Sequence, residues 1–157
     1  MLKNTLNSIS PLDGRYATKL GDLEQYFSEF ALIKNRVLVE INWLIFMSRT
    51  KSLRFIPALS KNKETSLLKI IDEFSVKDAE QIKKIEAKTN HDVKAVEYYI
   101  REKLENIDIL NNKKIINHVH FGLTSQDINS SSNVLAMKDA IIDVLIPNIK
   151  IILEHLD

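Results

Sequence analysis

Between residues 140 and 153, 10 of 14 side chains are apolar, more than an α-helix with one wet side can carry. Such a helix must be enclosed by neighbours on most of its circumference. The run includes Asp143, Pro147, Asn148 and Lys150 and is too short to span a bilayer, so those neighbours are protein. Upstream, Ile128, Leu135, Ile142 and Ile149 recur every seven residues, the spacing of a long bundle helix. No Gly, Asn or Pro stop signal follows at 154–157. The remaining sequence has too few apolar faces to surround this helix. The expectation is a chain cut within a larger bundle, with burial of the helix in a dimer interface as the alternative.

The rest of the chain is also helical in pattern. Only 3 Gly and 3 Pro interrupt 157 residues, and Lys, Glu, Leu and Ile abound. A helix is predicted over 22–49, with Phe27, Phe30, Ala31, Val37, Ile41, Leu44 and Ile45 on one face. A loop around Pro57 and a helix over 63–73 follow. Ser75 and Asp78 have the spacing of a capping box and open a helix through Ala79, Ile82, Ile85 and Glu86. The pattern restarts at Thr89 and runs through Val93, Val96, Tyr99, Ile100 and Leu104. Residues 106–117 read as a loop with an apolar beat at Ile115 and Ile116, and 1–15 as extended chain with a turn around Pro11 and Gly14. The fold class expected is all-α: a small helical domain in 1–112, then the beginning of a central bundle in 113–157.

Charge and composition narrow the function. Lys and Arg number 22 against 21 Asp and Glu, which leaves no basic face for nucleic acid. Zero cysteines exclude disulfides and thiolate metal sites, and residues 1–10 hold no apolar run of the signal-peptide kind. These features fit a soluble cytoplasmic protein without a membrane span. His118 and His120 have the spacing of a strand-type metal pair, but no carboxylate or cysteine cluster completes a ligand set. They read instead as rings packed in a loop near the domain junction, and His155 as a surface residue.

Three places carry chemistry, each with a plainer alternative. Thr124 and Ser125, followed by Asp127, open the last helix, where free backbone N–H groups and the helix dipole favour an anion. Thr89, Asn90, His91 and Asp92 repeat the arrangement, with Thr89 as the expected cap and His91 able to donate to an anion or orient another group. Arg15 beside Tyr16 offers a fork of donors for phosphate or carboxylate. On the residues alone, helix caps and solvated surface are the commoner reading of such places.

Four strings turn the balance toward the site. They are Ser10-Pro11-Leu12-Asp13-Gly14-Arg15-Tyr16, Phe27-Ser28-Glu29-Phe30, Thr89-Asn90-His91-Asp92-Val93-Lys94-Ala95-Val96-Glu97-Tyr98 and His120-Phe121-Gly122-Leu123-Thr124-Ser125-Gln126-Asp127-Ile128-Asn129. In order and spacing they resemble the amino-terminal part of the bacterial adenylosuccinate lyases, within the fumarase and aspartase superfamily. The third string is the specific one; the Thr-Ser-x-Asp element is shared across the superfamily.

The resemblance implies a homotetrameric lyase of purine nucleotide synthesis that needs no cofactor. It releases fumarate by β-elimination from adenylosuccinate, giving AMP, and from succinylaminoimidazole carboxamide ribotide. Carried over, Arg15 and Tyr16 hold the nucleotide, Asn90, His91 and Asp92 line the pocket, and Thr124 and Ser125 bind the succinyl carboxylate. The family's general acid and base are expected beyond Asp157, which would leave this chain inactive alone. The competing readings are another fumarate-forming lyase and a non-catalytic helical interaction module.

Overall fold

The computed structural model describes residues 7–53 and 55–156, and every regular element among them is helical. Of the stretch expected to be extended, 1–6 lie outside the described residues. The turn expected around Pro11 and Gly14 is present, and the chain beside it winds on through further tight turns rather than extending. The Gly14 amide donates to the Ser10 carbonyl and the Tyr16 amide to that of Pro11, each at 3.1 Å. A single 3-10 turn, Ala17–Lys19, follows.

Two helices replace the one predicted over 22–49: α1 (Gly21–Phe27) and α2 (Glu29–Arg49). The break is Ser28. Its backbone is extended and its Oγ accepts the Ala31 amide at 3.2 Å, so it caps α2. Phe27, which periodicity places with the core, is consequently exposed. Beyond the break, Ile33, Val37, Ile41, Leu44 and Ile45 form the buried stripe.

Next come α3 (Lys61–Asp72), α4 (Val76–Thr89), α5 (Asp92–Glu105), the single-turn α6 (Lys113–Ile116) and α7 (Ser125–Ala140). α3, α4, α5 and α7 all pack on α2, which is therefore the centre of the domain. α6 falls where a loop was expected. Asn112 caps it by accepting the Lys114 amide at 2.9 Å, and the apolar beat of Ile115 and Ile116 is buried in the core.

The capping box at Ser75 forms as its spacing predicts: the Ser75 amide and hydroxyl donate to Asp78 Oδ2 at 3.0 and 2.6 Å. Asp78 also accepts the Tyr99 hydroxyl at 2.8 Å and pairs with Lys103 at 2.8 Å, which joins α4 to α5. Burial pushes the Asp78 carboxyl up, but Lys103, Ser75 and Tyr99 together hold it well below the usual carboxylate range.

The last helix is not continuous. A π-helical stretch, Ile141–Leu145, separates α7 from α8 (Ile146–Glu154). Pro147 lies in the first turn of α8. It lacks an N–H and crowds the carbonyl four residues back, and a widened turn accommodates both defects. From this junction on the apolar run is bare: Ile141, Ile142, Leu145, Ile149, Ile152 and Leu153 are all exposed. No helix among the described residues is long and apolar enough to cross a membrane.

Candidate active site

The starts of α5 and α7 meet beside the middle of α2. At the first of them the cap is not Thr89, as spacing suggested. Thr89 ends α4, Asn90 takes left-handed backbone (φ 51°) as its C-cap, and His91 itself caps α5. Asparagine tolerates that conformation better than most side chains. His91 Nδ1 accepts the Lys94 amide at 3.1 Å. An accepting Nδ1 carries no proton, so the neutral ring bears its hydrogen on Nε2. Nε2 lies 3.5 Å from Ser125 Oγ, at the long limit of a hydrogen bond.

Ser125 is the first residue of α7. Behind it, Asp127 Oδ2 accepts the Thr124 amide at 2.7 Å and the Thr124 hydroxyl at 2.8 Å, closing a capping box. Those two donors, the amide first, hold the Asp127 carboxyl below its ordinary value. Thr124 Oγ1 is therefore committed to the cap, and Ser125 Oγ is the hydroxyl that faces His91.

Two charged residues of α2 back this meeting point. Arg36, only 7% exposed, donates through Nε to Asn129 Oδ1 at 2.9 Å and through a terminal nitrogen to Asp92 Oδ2 at 2.6 Å. Burial pushes the Asp92 carboxyl up, but the Val93 amide and the Arg36 guanidinium bring it below its ordinary value. One turn on, Glu40 is 1% exposed. Its Oε1 meets His120 Nδ1 at 2.5 Å, while Oε2 has no partner among the described residues. Burial drives the Glu40 carboxyl up, against the pull of His120. His120 itself sits in left-handed backbone (φ 64°), uncommon for a side chain of this size.

Sequence reasoning missed Arg36 and Glu40, although a signal was there. They stand three and seven residues after Ile33, so they fall on the helical face that carries the core. Charged residues in that stripe are buried unless the helix is miscounted, and buried charges are paired.

The other candidates fall as follows. Asn90 is exposed at the α4–α5 junction. The Arg15 guanidinium stacks 4.6 Å over the Tyr16 ring. Both are exposed, and among the described residues no hydrogen bond or ion pair joins either to His91 or Ser125. His118 bonds the Lys114 carbonyl and packs on Phe55 and Phe121, as a loop-packing ring does. His155 is exposed. A cavity of about 420 Å³ lined by Lys69, Asp78, Tyr99 and Lys103 shares no lining residue with the cluster.

A cluster with a ring N–H and a serine hydroxyl at the start of α7, whose nearby carboxylates are held by Arg36 and by the Thr124 cap, is chemically able to receive a carboxylate.

The family follows from the whole chain. Residues 14–157 match the protein family described as Lyase, and the chain belongs to that family. It is similar to adenylosuccinate lyases from several organisms. It is 44% identical to that of Dictyostelium discoideum over 94% of this chain and 32% of the relative. For Legionella pneumophila strain Corby the values are 42%, 95% and 32%, and for Escherichia coli K12 they are 41%, 92% and 31%. The chain thus spans about a third of the length of the curated relatives it matches.

Proposed function

We propose that this chain forms part of the substrate site of an adenylosuccinate lyase acting in purine nucleotide synthesis. In that reaction a base removes the proton from the carbon beside one succinyl carboxylate. The electron pair forms the carbon–carbon double bond of fumarate, the carbon–nitrogen bond breaks, and the departing nitrogen is protonated. Adenylosuccinate gives AMP, and succinylaminoimidazole carboxamide ribotide gives the free carboxamide by the same step. Ser125 binds the succinyl carboxylate, with Thr124, whose amide and hydroxyl are spent on the cap, fixing it in place; Asn90, His91 and Asp92 line the pocket, and Arg15 and Tyr16 hold the nucleotide. Proton transfer itself is assigned to no residue of this chain.

The observation that carries this reading is the approach of His91 Nε2 to Ser125 Oγ, residues 34 apart in two strings that each resemble those of the lyases. Supporting it further, the exposed apolar run from Ile141 to Leu156 fits a central bundle completed in a homotetramer, with 1–112 as the amino-terminal domain and 113–157 as the opening of that bundle. The near balance of charge fits a cytoplasmic enzyme that engages neither nucleic acid nor membrane. Titration calorimetry with adenylosuccinate tests the assignment. Saturable binding, weakened about tenfold or more by Ser125→Ala in keeping with a lost charge-assisted hydrogen bond, is the expected result. Affinity that is absent, or indifferent to both Ser125→Ala and His91→Ala, refutes it.

A further inference from the structure

α5 and α7 touch each other only lightly, while each packs on α2. The relative placement of their first turns is therefore transmitted through α2, and one α2 side chain is bonded to both. Arg36 reaches Asp92, the residue directly after the His91 cap, and Asn129, one turn into α7 from Ser125. Its guanidinium is planar, so the directions of Nε and the terminal nitrogen are fixed with respect to each other. The two acceptors are held at 2.9 and 2.6 Å, and the side chain is almost entirely out of solvent.

We infer that Arg36 is a positioning residue: its fork sets the separation of the two helix starts, and hence the spacing at which His91 and Ser125 together receive a carboxylate. This rests on the lyase reading above for what is bound, though not for the geometry. Arg36 itself need touch no substrate. By pairing with Asp92 it also removes the one negative charge that would repel an anion at the α5 start. A lysine can reach one acceptor as a point charge but cannot span both at a fixed angle.

The test uses the whole 157-residue chain, labelled with ¹⁵N. Asn129→Ala cuts the link on the α7 side only, far in sequence from α5. The expected result is a shift of the His91 ring and of the Val93 and Lys94 amides in that variant. In an Arg36→Lys background the same Asn129→Ala change should leave those signals where Arg36→Lys alone put them, with helical circular dichroism retained throughout. Adenylosuccinate affinity should fall about tenfold for either single change and no further for the double change, which is the signature of one shared link. Silence at the α5 start in Asn129→Ala, or an undiminished response in the Arg36→Lys background, overturns the inference. If the unaltered chain binds no adenylosuccinate, the lyase reading fails while the resonance measurement still decides the role of Arg36.

Discussion

Replacing Glu40 separates two effects that act together in the native chain, a hydrogen bond to His120 and a buried charge. Alanine removes both, leaves the His120 imidazole without its anchor and opens a void. Breaking a buried pair in this way costs about 3–5 kcal/mol. Glutamine keeps an acceptor for Nδ1–H but is neutral. Its loss is the difference between a charge-assisted bond of about 1.5–3 kcal/mol and a neutral one of about 1 kcal/mol. Its gain is relief from desolvating a carboxylate with an unpartnered oxygen, worth about 1–3 kcal/mol or more. The two nearly cancel, so Glu40→Gln should lie within about 1 kcal/mol of the native chain near pH 7, with Glu40→Ala well below both.

The pH dependence sharpens the test. Burial raises the Glu40 carboxyl, so the folded chain binds that proton more tightly than the unfolded chain does. The group accordingly opposes folding above its folded value, and this penalty fades as pH falls toward the unfolded glutamate value of about 4.3. Relative to Glu40→Gln, the native chain should gain stability over that descent. Urea unfolding followed by circular dichroism at several pH values measures both quantities. Glutamine as damaging as alanine, or a native-to-glutamine difference flat with pH, would show the reasoning to be wrong.

Other expectations follow from the same contacts. Asp78 behaves oppositely to Glu40: its carboxyl is held low in the folded chain, so its contribution is present above about pH 3.9 and is lost as acid protonates it. Asp78→Asn should therefore lower stability by about 1.5–3 kcal/mol at neutral pH and flatten the acid limb of the unfolding profile. Thr124→Ala removes the hydroxyl of the α7 cap and should cost about 1 kcal/mol in urea unfolding, without altering the His120 contact. Ile149→Lys places a charge on the bare apolar run and should reduce self-association in sedimentation while leaving helix content unchanged.

Periodicity was enough to read the helical class, the buried stripe of α2 and the two capping boxes, because each is a local pattern with a local cause. What it missed was set by contacts between distant segments. Ser28 reads as one more polar position in a long helix until its cap is seen to divide that helix in two. Thr89 has better cap chemistry than His91, yet the left-handed turn at Asn90 moves the boundary by two residues and gives the imidazole a role that propensity ranks low. The meeting of His91 with Ser125 has no trace in the spacing of either string, since it depends on how α5 and α7 lie against α2. Only the likeness of both strings to one family hinted that they belong together.

The π-helical stretch ahead of Pro147 has a consequence for anything that assembles along this helix. An extra residue in one turn sets the angular phase of all that follows back by about 100°. Ile142 and Ile149, seven apart and nominally stacked on one seam, therefore point along different bearings on either side of the junction. A single straight groove cannot seat both. Any helix packed along it has to veer at the height of Pro147 or hand over to another there, so the proline governs where such a partner changes course as well as the shape of its own helix.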